Sequence, residues 1–167
     1  MEGKVRIIVL MGVSGCGKSL IGTSLAEKLG LEFIEGDDYH SAENKEKMAK
    51  GIALNDQDRV SWLQELRKLF QETRTPLVAS CSALKKSYRH MIEPDGGILL
   101  FVHLDAPQEV IENRIRSRQG HFFDPVLLTS QFETLEKLED GESGFEVNVA
   151  KDEHLVLAEI ISRLDDW

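Results

Sequence analysis

Eight consecutive residues near the start of the chain have the types and spacing of a phosphate-binding loop. They fit the pattern G-x-x-x-x-G-K-[ST] without a mismatch, after an apolar run and before a helical pattern. The glycines of such a loop let consecutive backbone N–H groups point into one concavity, and the helix N-terminus adds partial positive charge. We therefore expect a nucleoside triphosphate to bind here. The loop consists of Gly12, Val13, Ser14, Gly15, Cys16, Gly17, Lys18 and Ser19.

Two side chains of this loop have separate expected tasks. Lys18 can reach the β- and γ-phosphates, and the Ser19 hydroxyl can ligate Mg²⁺. A glycine-rich turn that matches the pattern by chance is the alternative. The chain has no N-K-x-D motif for reading guanine, since Asn44 begins the run Asn-Lys-Glu-Lys, and it is short for a motor or transporter ATPase. A small kinase remains the best interpretation.

An acidic turn that contains Asp37 and Asp38 follows the second predicted strand. Such a turn should lie beside the phosphate loop, at the carboxyl edge of the sheet. A hydroxyl that accepts a phosphoryl group must lose a proton, whereas a phosphate acceptor is already an anion. Asp37 therefore favours an alcohol as the acceptor. A solvated acidic turn or a helix cap is the alternative interpretation.

Basic residues in three segments could hold an acidic acceptor against the overall negative charge of the chain. Arginine can bind a carboxylate through two hydrogen bonds, whereas lysine supplies a point charge. Taken one at a time, these residues could equally be solvated surface charges. The candidates are Lys47, Arg59, Lys85, Lys86 and Arg89.

A basic helix end followed by two aromatic residues has the features of a lid. Arg114 and Arg118 are four residues apart and share a helix face, from which they could stabilise the charge of a transferring phosphate. Gly120 offers a hinge and the pair Phe122-Phe123 an apolar cover, so that closure would exclude water. The alternative is an exposed basic helix end with two core phenylalanines.

Composition limits the class of protein. The chain has 167 residues, a net charge of −9, 41% hydrophobic residues and two cysteines. These values predict one globular domain over residues 1–167 with a reduced, cytoplasmic location. The negative charge argues against a nucleic-acid partner, and the lack of a long apolar run argues against a membrane span.

Short apolar runs alternate with amphipathic ones, which predicts an α/β fold with a parallel sheet of about five strands flanked by helices. The predicted strands are 5–11, 31–35, 76–80, 98–104 and 146–149. The predicted helices are 18–29, 41–50, 56–73, 107–118, 125–138 and 155–164.

Taken together, these residues resemble the gluconate kinases, of the shikimate-kinase-like branch of P-loop kinases. The phosphate loop is shared by many families, whereas the later segments are more specific. The matching segments fall in order over about residues 5–135. They are Met11–Ser19, Gly36–His40, Asn44–Met48, Leu54–Arg59, Cys81–Arg89, Gly120–Phe123 and Ser130–Leu135.

The resemblance implies a nucleoside-monophosphate-kinase-like fold, ATP:D-gluconate 6-phosphotransferase activity, Mg²⁺ as cofactor and a homodimer. It implies an acceptor-binding region around residues 40–73 and a lid around 118–130. The resemblance implies catalytic roles for Asp37, Lys18 and Arg118. It implies that the phosphate loop and Arg114 bind the nucleotide and that Ser19 ligates the metal. The implied acceptor contacts are Asp37, His40, Lys47, Arg59, Lys85, Arg89, His121 and Gln131.

Two positions depart from the pattern of these enzymes. Cys16 stands where they usually carry Ser, and His90 where they usually carry Asp. A kinase for another small hydroxylated acid such as shikimate, or a nucleotide-binding protein without catalytic activity, remains the alternative.

Overall fold

The computed structural model describes residues 7–96, 99–118 and 124–167, which form an α/β fold around a parallel sheet. The strands are β1 (Ile7–Met11), β2 (Glu32–Glu35), β3 (Leu77–Ser80), β4 (Leu99–Asp105) and β5 (Gly144–Asn148). The helices are α1 (Lys18–Leu29), α2 (Ala42–Ala49), α3 (Asp56–Glu72), α4 (Lys86–Ile92), α5 (Gln108–Ser117), α6 (Pro125–Thr134) and α7 (Glu153–Leu164), and a 3₁₀ turn covers Gly36–Tyr39.

The sheet has the strand order β2-β3-β1-β4-β5, with every neighbouring pair parallel. The central strand β1 is buried along its whole length, as its continuous apolar run predicts. Because all the carboxyl ends lie at one edge, the phosphate loop after β1, the 3₁₀ turn after β2 and the segment after β3 are neighbours. The predicted α/β fold is confirmed.

Local sequence patterns determine where helix α1 ends and where helix α3 begins. Helix α1 ends at Gly30, whose left-handed conformation (φ 66°) lets its N–H bond back to the last turn, as predicted. Helix α3 begins with reciprocal hydrogen bonds between Asn55 and Asp58. One face of α3 buries Trp62 and Phe70, which brings this helix onto the acidic turn after β2.

Some element boundaries differ from the predicted ones. Helix α4 was not predicted from the sequence. Helix α6 ends at Thr134 rather than at residue 138, because the Glu136 N–H donates to the carbonyl of Leu84 (2.7 Å) instead of continuing the helix. Strand β5 already begins at Gly144, where a Cβ would lie 2.4 Å from the carbonyl oxygen of Phe101. In the described part of the chain, no helix is long and apolar enough to cross a membrane.

Candidate active site

The phosphate loop joins β1 to α1 in a shape that requires glycine. Gly12 has φ 142°, and a Cβ there would lie 2.8 Å from the carbonyl oxygen of Leu104. Gly15 has φ 81°, and its Cβ would collide with the side chain of Ile115. Both positions therefore combine a left-handed backbone with close packing, which only glycine tolerates.

The two side chains of the loop that could act on phosphate lie at the N-terminus of α1. Lys18 Nζ donates to the carbonyl oxygens of Gly12 (2.9 Å) and Val13 (3.0 Å), so the ammonium is held over the concavity. The hydroxyl of Ser19 donates to the Glu35 carboxylate, which also accepts a hydrogen bond from Ser80. Glu35 thus fixes the Ser19 hydroxyl.

The donor set around Ser19 fits Mg²⁺. Mg²⁺ prefers oxygen ligands and is usually held by one or two protein groups together with substrate phosphates and water. Ser19 and the Glu35 carboxylate, which accepts the Ser19 hydrogen bond, supply oxygen there. Among the described residues, no group of three or more His, Cys, Asp or Glu forms a self-sufficient metal cage. A cation held jointly with a nucleotide is therefore the arrangement that these residues suit.

A cavity of about 250 Å³ adjoins the loop on the side of β2 and β3. Its size suits a molecule smaller than a typical drug-sized ligand. The polar lining consists of Ser14, Lys18, Asp37, His40, Arg59, Ser82, Ser130, Gln131 and Thr134. The apolar lining consists of Met48, Ile52, Ala53, Leu54, Trp62, Leu84 and Leu127. The cavity therefore brings loop residues together with predicted acceptor residues.

Asp37 and His40 lie on and just after the 3₁₀ turn, which α3 supports. The Asp37 side chain is 62% exposed, and its carboxylate lies 3.9 Å from His40 Nε2. The His40 ring stacks on Trp62 at 4.0 Å between centroids, and Trp62 Nε1 donates to the Gly36 carbonyl (2.9 Å). Burial, followed by the charges of Arg59 and Lys45, lowers the pKa of His40 to about 4. His40 is therefore neutral at physiological pH, and Asp37 is the accessible acid.

Arg59 is the predicted acceptor-side cation that lines this cavity. Its Nη1 donates to the Leu54 carbonyl (2.6 Å) and to the Tyr88 hydroxyl (3.1 Å), and the guanidinium lies 5.3 Å from the centroid of the Tyr88 ring. These contacts hold the head group and use one of its terminal nitrogens. Lys18 and Arg59 are the lysine and arginine side chains that line the cavity in the described part of the chain.

Two predicted acceptor lysines are instead paired beside the cavity. Lys47 Nζ bonds to Asp58 (2.8 Å) and Lys85 Nζ to Asp56 (3.0 Å). Tyr88 donates the hydrogen bond that most strongly lowers the pKa of Asp56, and Lys85 adds to this effect. Neither lysine lines the cavity, because each neutralises a carboxylate near the start of α3.

Arg89 occupies a different place from the one that the resemblance implies. It is fully buried and donates to the Glu142 carboxylate through Nε (2.6 Å) and Nη2 (3.0 Å). Its remaining hydrogen bonds go to the carbonyls of Ala83, Glu136 and Lys137. Arg89 thus joins α4 to the segment between α6 and β5 and does not line the cavity. The Asp usually found next to it corresponds to His90, whose side chain is 87% exposed and pairs with Glu93.

A second cavity of about 120 Å³ lies on the other side of the loop. It brings the predicted nucleotide contact Arg114 and the predicted catalytic residue Arg118 together with the loop backbone. The lining consists of Gly15, Cys16, Gly17, Leu20, Ile21, Arg114, Arg118, Val149, Lys151, Glu153 and Val156. The loop is therefore divided: Ser14 and Lys18 face the first cavity, and Gly15–Gly17 face the second. His121 and the other lid residues 120–123 lie outside the described residues.

Gln131 connects helix α6 to the phosphate loop, a contact that sequence reasoning did not predict. Its side-chain oxygen accepts a hydrogen bond from the Ser14 N–H (2.6 Å). Sequence reasoning also gave no role to Glu35, Trp62 or Glu142. The position of Glu35 at the carboxyl end of a strand was a usable signal, whereas no local pattern marks the other two.

The parallel sheet, the loop between β1 and α1 and the acid beyond β2 define a P-loop kinase. A family model described as shikimate kinase matches residues 14–156. A Xenopus tropicalis protein named as a probable gluconokinase is 41% identical, over 95% of this chain and 93% of its own length. The thermoresistant gluconokinase of Escherichia coli is 45% identical, over 79% of this chain and 77% of its own.

The solved structure of a gluconokinase from Sinorhizobium meliloti superposes with a TM-score of 0.91 at 41% identity, covering 98% of this chain and 94% of that one. The chain belongs to the gluconokinase family, within the P-loop kinases related to shikimate kinase. The predicted family is therefore confirmed.

Proposed function

We propose that the protein transfers the γ-phosphoryl group of ATP to the 6-hydroxyl of D-gluconate, giving 6-phospho-D-gluconate and ADP. The observation that carries this proposal is the shared cavity. It places Lys18 of the phosphate loop, the exposed carboxylate of Asp37 and the guanidinium of Arg59 around one small space. The gluconokinase names of similar proteins support the choice of acceptor.

We propose that the charged residues of the cavity lining match the two ends of gluconate. Gluconate is an extended six-carbon acid with its carboxylate at one end and a primary hydroxyl at the other. We propose that Arg59 binds the carboxylate with the donors that Leu54 and Tyr88 leave free. The hydroxyls between the two ends would then face the polar groups of His40, Ser82 and Gln131.

The division of the loop suggests how ATP lies. We propose that Gly15–Gly17 bind the inner phosphates and that the nucleoside extends into the second cavity toward Arg114 and Arg118. The terminal phosphate then reaches Ser14 and Lys18, where it faces the acceptor. Ser19, fixed by Glu35, would hold Mg²⁺ beside the phosphates. Bound there, the ion would neutralise charge on the β- and γ-phosphate oxygens.

In the proposed reaction, the main task of the protein is to position the two substrates and to stabilise charge. Asp37 orients the 6-hydroxyl and accepts its proton while the hydroxyl oxygen attacks the γ-phosphorus in line and ADP leaves. Lys18 stabilises the charge on the transferring group. Arg118, exposed at the end of α5, would add to this stabilisation once the lid around residues 118–130 closes.

Further expectations from the resemblance remain part of this proposal. Residues 40–73, which include α2 and α3, would form the acceptor-binding region of a single domain over residues 1–167. The active form would be a homodimer in the cytoplasm, without nucleic-acid or membrane partners.

The test is acceptor-dependent ADP release with Mg-ATP. The panel contains D-gluconate, its epimers, shikimate, glucose and AMP. Shikimate is included because the matching family model bears that name. Release with gluconate alone supports the proposal. ADP release with shikimate alone would show that the acceptor is shikimate rather than gluconate. Nucleotide binding without ADP release for any acceptor would favour a protein that binds nucleotide without catalysis.

A further inference from the structure

The hydrogen bond between Gln131 and the phosphate loop lies where the two substrates must meet. Gln131 Oε1 accepts from the Ser14 N–H at 2.6 Å, and both residues line the acceptor cavity together with Lys18. Ser14 is a loop residue on the acceptor side, whereas Gly15–Gly17 face the nucleotide side. The Ser14 N–H is therefore a donor that the terminal phosphate of ATP would reach and that the β-phosphate would not.

The rest of the loop shows the same internal pairing. Lys18 Nζ donates to the carbonyls of Gly12 and Val13. An amide oxygen is a neutral acceptor, whereas a phosphate oxygen carries charge and forms a hydrogen bond about twice as strong. A bound γ-phosphate would therefore take the Ser14 N–H away from Gln131.

Helix α6 fixes where a released Gln131 side chain can go. Asp124 caps the start of the helix by accepting from the Val126 N–H (2.9 Å), and Leu128 is buried. Beyond the helix, the Glu136 N–H bonds to Leu84, which is itself a wall of the acceptor cavity. Because the chain directly beyond α6 is bonded to Leu84, a Gln131 amide that leaves the loop stays at the cavity that it already lines.

We infer that Gln131 is a positioning residue that exchanges partners between the Ser14 N–H and the acceptor, so that each substrate favours binding of the other. The terminal phosphate of ATP displaces the amide from the loop. The freed amide then supplies one acceptor and two donors to the hydroxyls of the acceptor molecule. Coupling of this kind is reciprocal: the factor by which nucleotide raises acceptor affinity equals the factor by which acceptor raises nucleotide affinity. The identity of the acceptor and the placement of the terminal phosphate at Ser14 both rest on the proposed function, and the comparison of the ATP analogue with ADP tests that placement without any acceptor.

The first test measures nucleotide affinity by calorimetry with no acceptor present. Gln131→Met keeps the length of the side chain and removes its hydrogen-bonding groups. We expect it to bind a non-hydrolysable ATP analogue about 2- to 12-fold more tightly than the unaltered chain, which corresponds to one net neutral hydrogen bond. ADP, which has no γ-phosphate, should bind with unchanged affinity. Equal or weaker binding of the analogue, or an equal gain for ADP, would overturn the inference.

A charged variant and a helix control complete this test. Gln131→Glu should bind the analogue more weakly, since its carboxylate lies beside the γ-phosphate, with a smaller change for ADP. Glu133→Gln alters an exposed residue two positions along α6 and should leave both affinities unchanged. Equal affinity changes in the Glu133 variant would assign the effect to the helix rather than to Gln131 and would refute the inference.

The second test measures the coupling. In the unaltered chain, gluconate should bind more tightly when the ATP analogue is present, and Gln131→Met should remove this gain. Persistence of the full gain in Gln131→Met would contradict the exchange. If gluconate does not bind the unaltered chain with or without the ATP analogue, gluconate is not the acceptor. The comparison of the analogue with ADP still decides whether Gln131 competes for the Ser14 N–H.

Discussion

The phosphate loop and the acceptor cavity meet at one edge of the sheet but are built in different ways. The loop is a single run of eight residues between β1 and α1, and most of its binding groups are backbone N–H groups. The cavity draws on five separate segments, and its binding groups are side chains. Ion pairs such as Lys47–Asp58 and Lys85–Asp56 support its walls.

This difference predicts that the loop tolerates few substitutions, whereas the cavity determines which acceptor binds. A loop whose shape depends on Gly12 and Gly15 permits few changes, and it binds the phosphates that every nucleoside triphosphate shares. A cavity of side chains can change its ligand through single substitutions that leave the fold intact. Variants in the two regions should therefore fail in different ways, either in phosphoryl transfer or in acceptor affinity.

Asp37→Asn should give the largest effect on activity. It removes the group proposed to accept the hydroxyl proton, and loss of such a group lowers kcat by about 10²- to 10⁴-fold. ATP affinity should persist, because the loop is untouched. Steady-state kinetics and calorimetry measure the two quantities. Asp38→Asn, the exposed neighbour in the same turn, is the control and should retain activity. Near-normal turnover of Asp37→Asn would remove this residue from the mechanism.

Arg89→Met tests the buried ion pair that joins α4 to the segment between α6 and β5, and its readout is stability. The variant leaves the Glu142 carboxylate and three backbone carbonyls without their partner, and breaking a buried pair costs about 3–5 kcal/mol of unfolding free energy. Lys86→Met on the same helix removes the exposed pair with Glu139 and should cost much less, because solvent screens an exposed pair. Urea unfolding compares them, and equal losses would refute a structural role for the buried pair.

Arg59→Gln should separate acceptor affinity from catalysis. Loss of a hydrogen bond to a charged group costs about 1.5–3 kcal/mol, so KM for gluconate should rise about 10- to 150-fold, with a smaller change in KM for ATP. Arg67→Gln lies on the same helix, where Arg67 forms an exposed pair with Asp95, and serves as the control. A larger change in KM for ATP than in KM for gluconate would place Arg59 on the nucleotide side instead.

Sequence reasoning succeeded where function depends on consecutive residues and failed where it depends on distant pairs. The loop, the alternation of strands and helices and the Gly30 helix end are local patterns. Arg89 looked like a free cation because its partner Glu142 lies 53 residues further along the chain. Helix α4 has seven residues and no side-chain cap, so no pattern marked it. The predicted strand began at residue 146, whereas β5 already begins at Gly144, where close packing against β4 requires glycine.

The smallest expected effect is a pH dependence of stability that arises in the acceptor cavity. Burial is the main cause that lowers the pKa of His40 to about 4, from 6.5 in an accessible histidine. The folded chain keeps the ring neutral while the unfolded chain gains a proton, so this stability is complete above about pH 6.5 and is lost as the pH falls toward 4. His103 on β4 acts in the same direction, because burial lowers its pKa and Lys137 adds to this effect, although Asp105 and Glu146 oppose it.

Protonation of His40 in the unfolded chain should therefore remove up to about 1.4 kcal/mol of unfolding free energy per pH unit in this window. Urea unfolding between about pH 7 and 4.5 measures the slope. His40→Gln should reduce it. His90→Gln, at an exposed position, should leave it unchanged. The paired carboxylates of Asp56, Asp58 and Glu142 have lowered pKa values, so their contribution is lost only at more acidic pH. An unchanged slope in His40→Gln would show that the His40 imidazole is not the group responsible for the pH dependence.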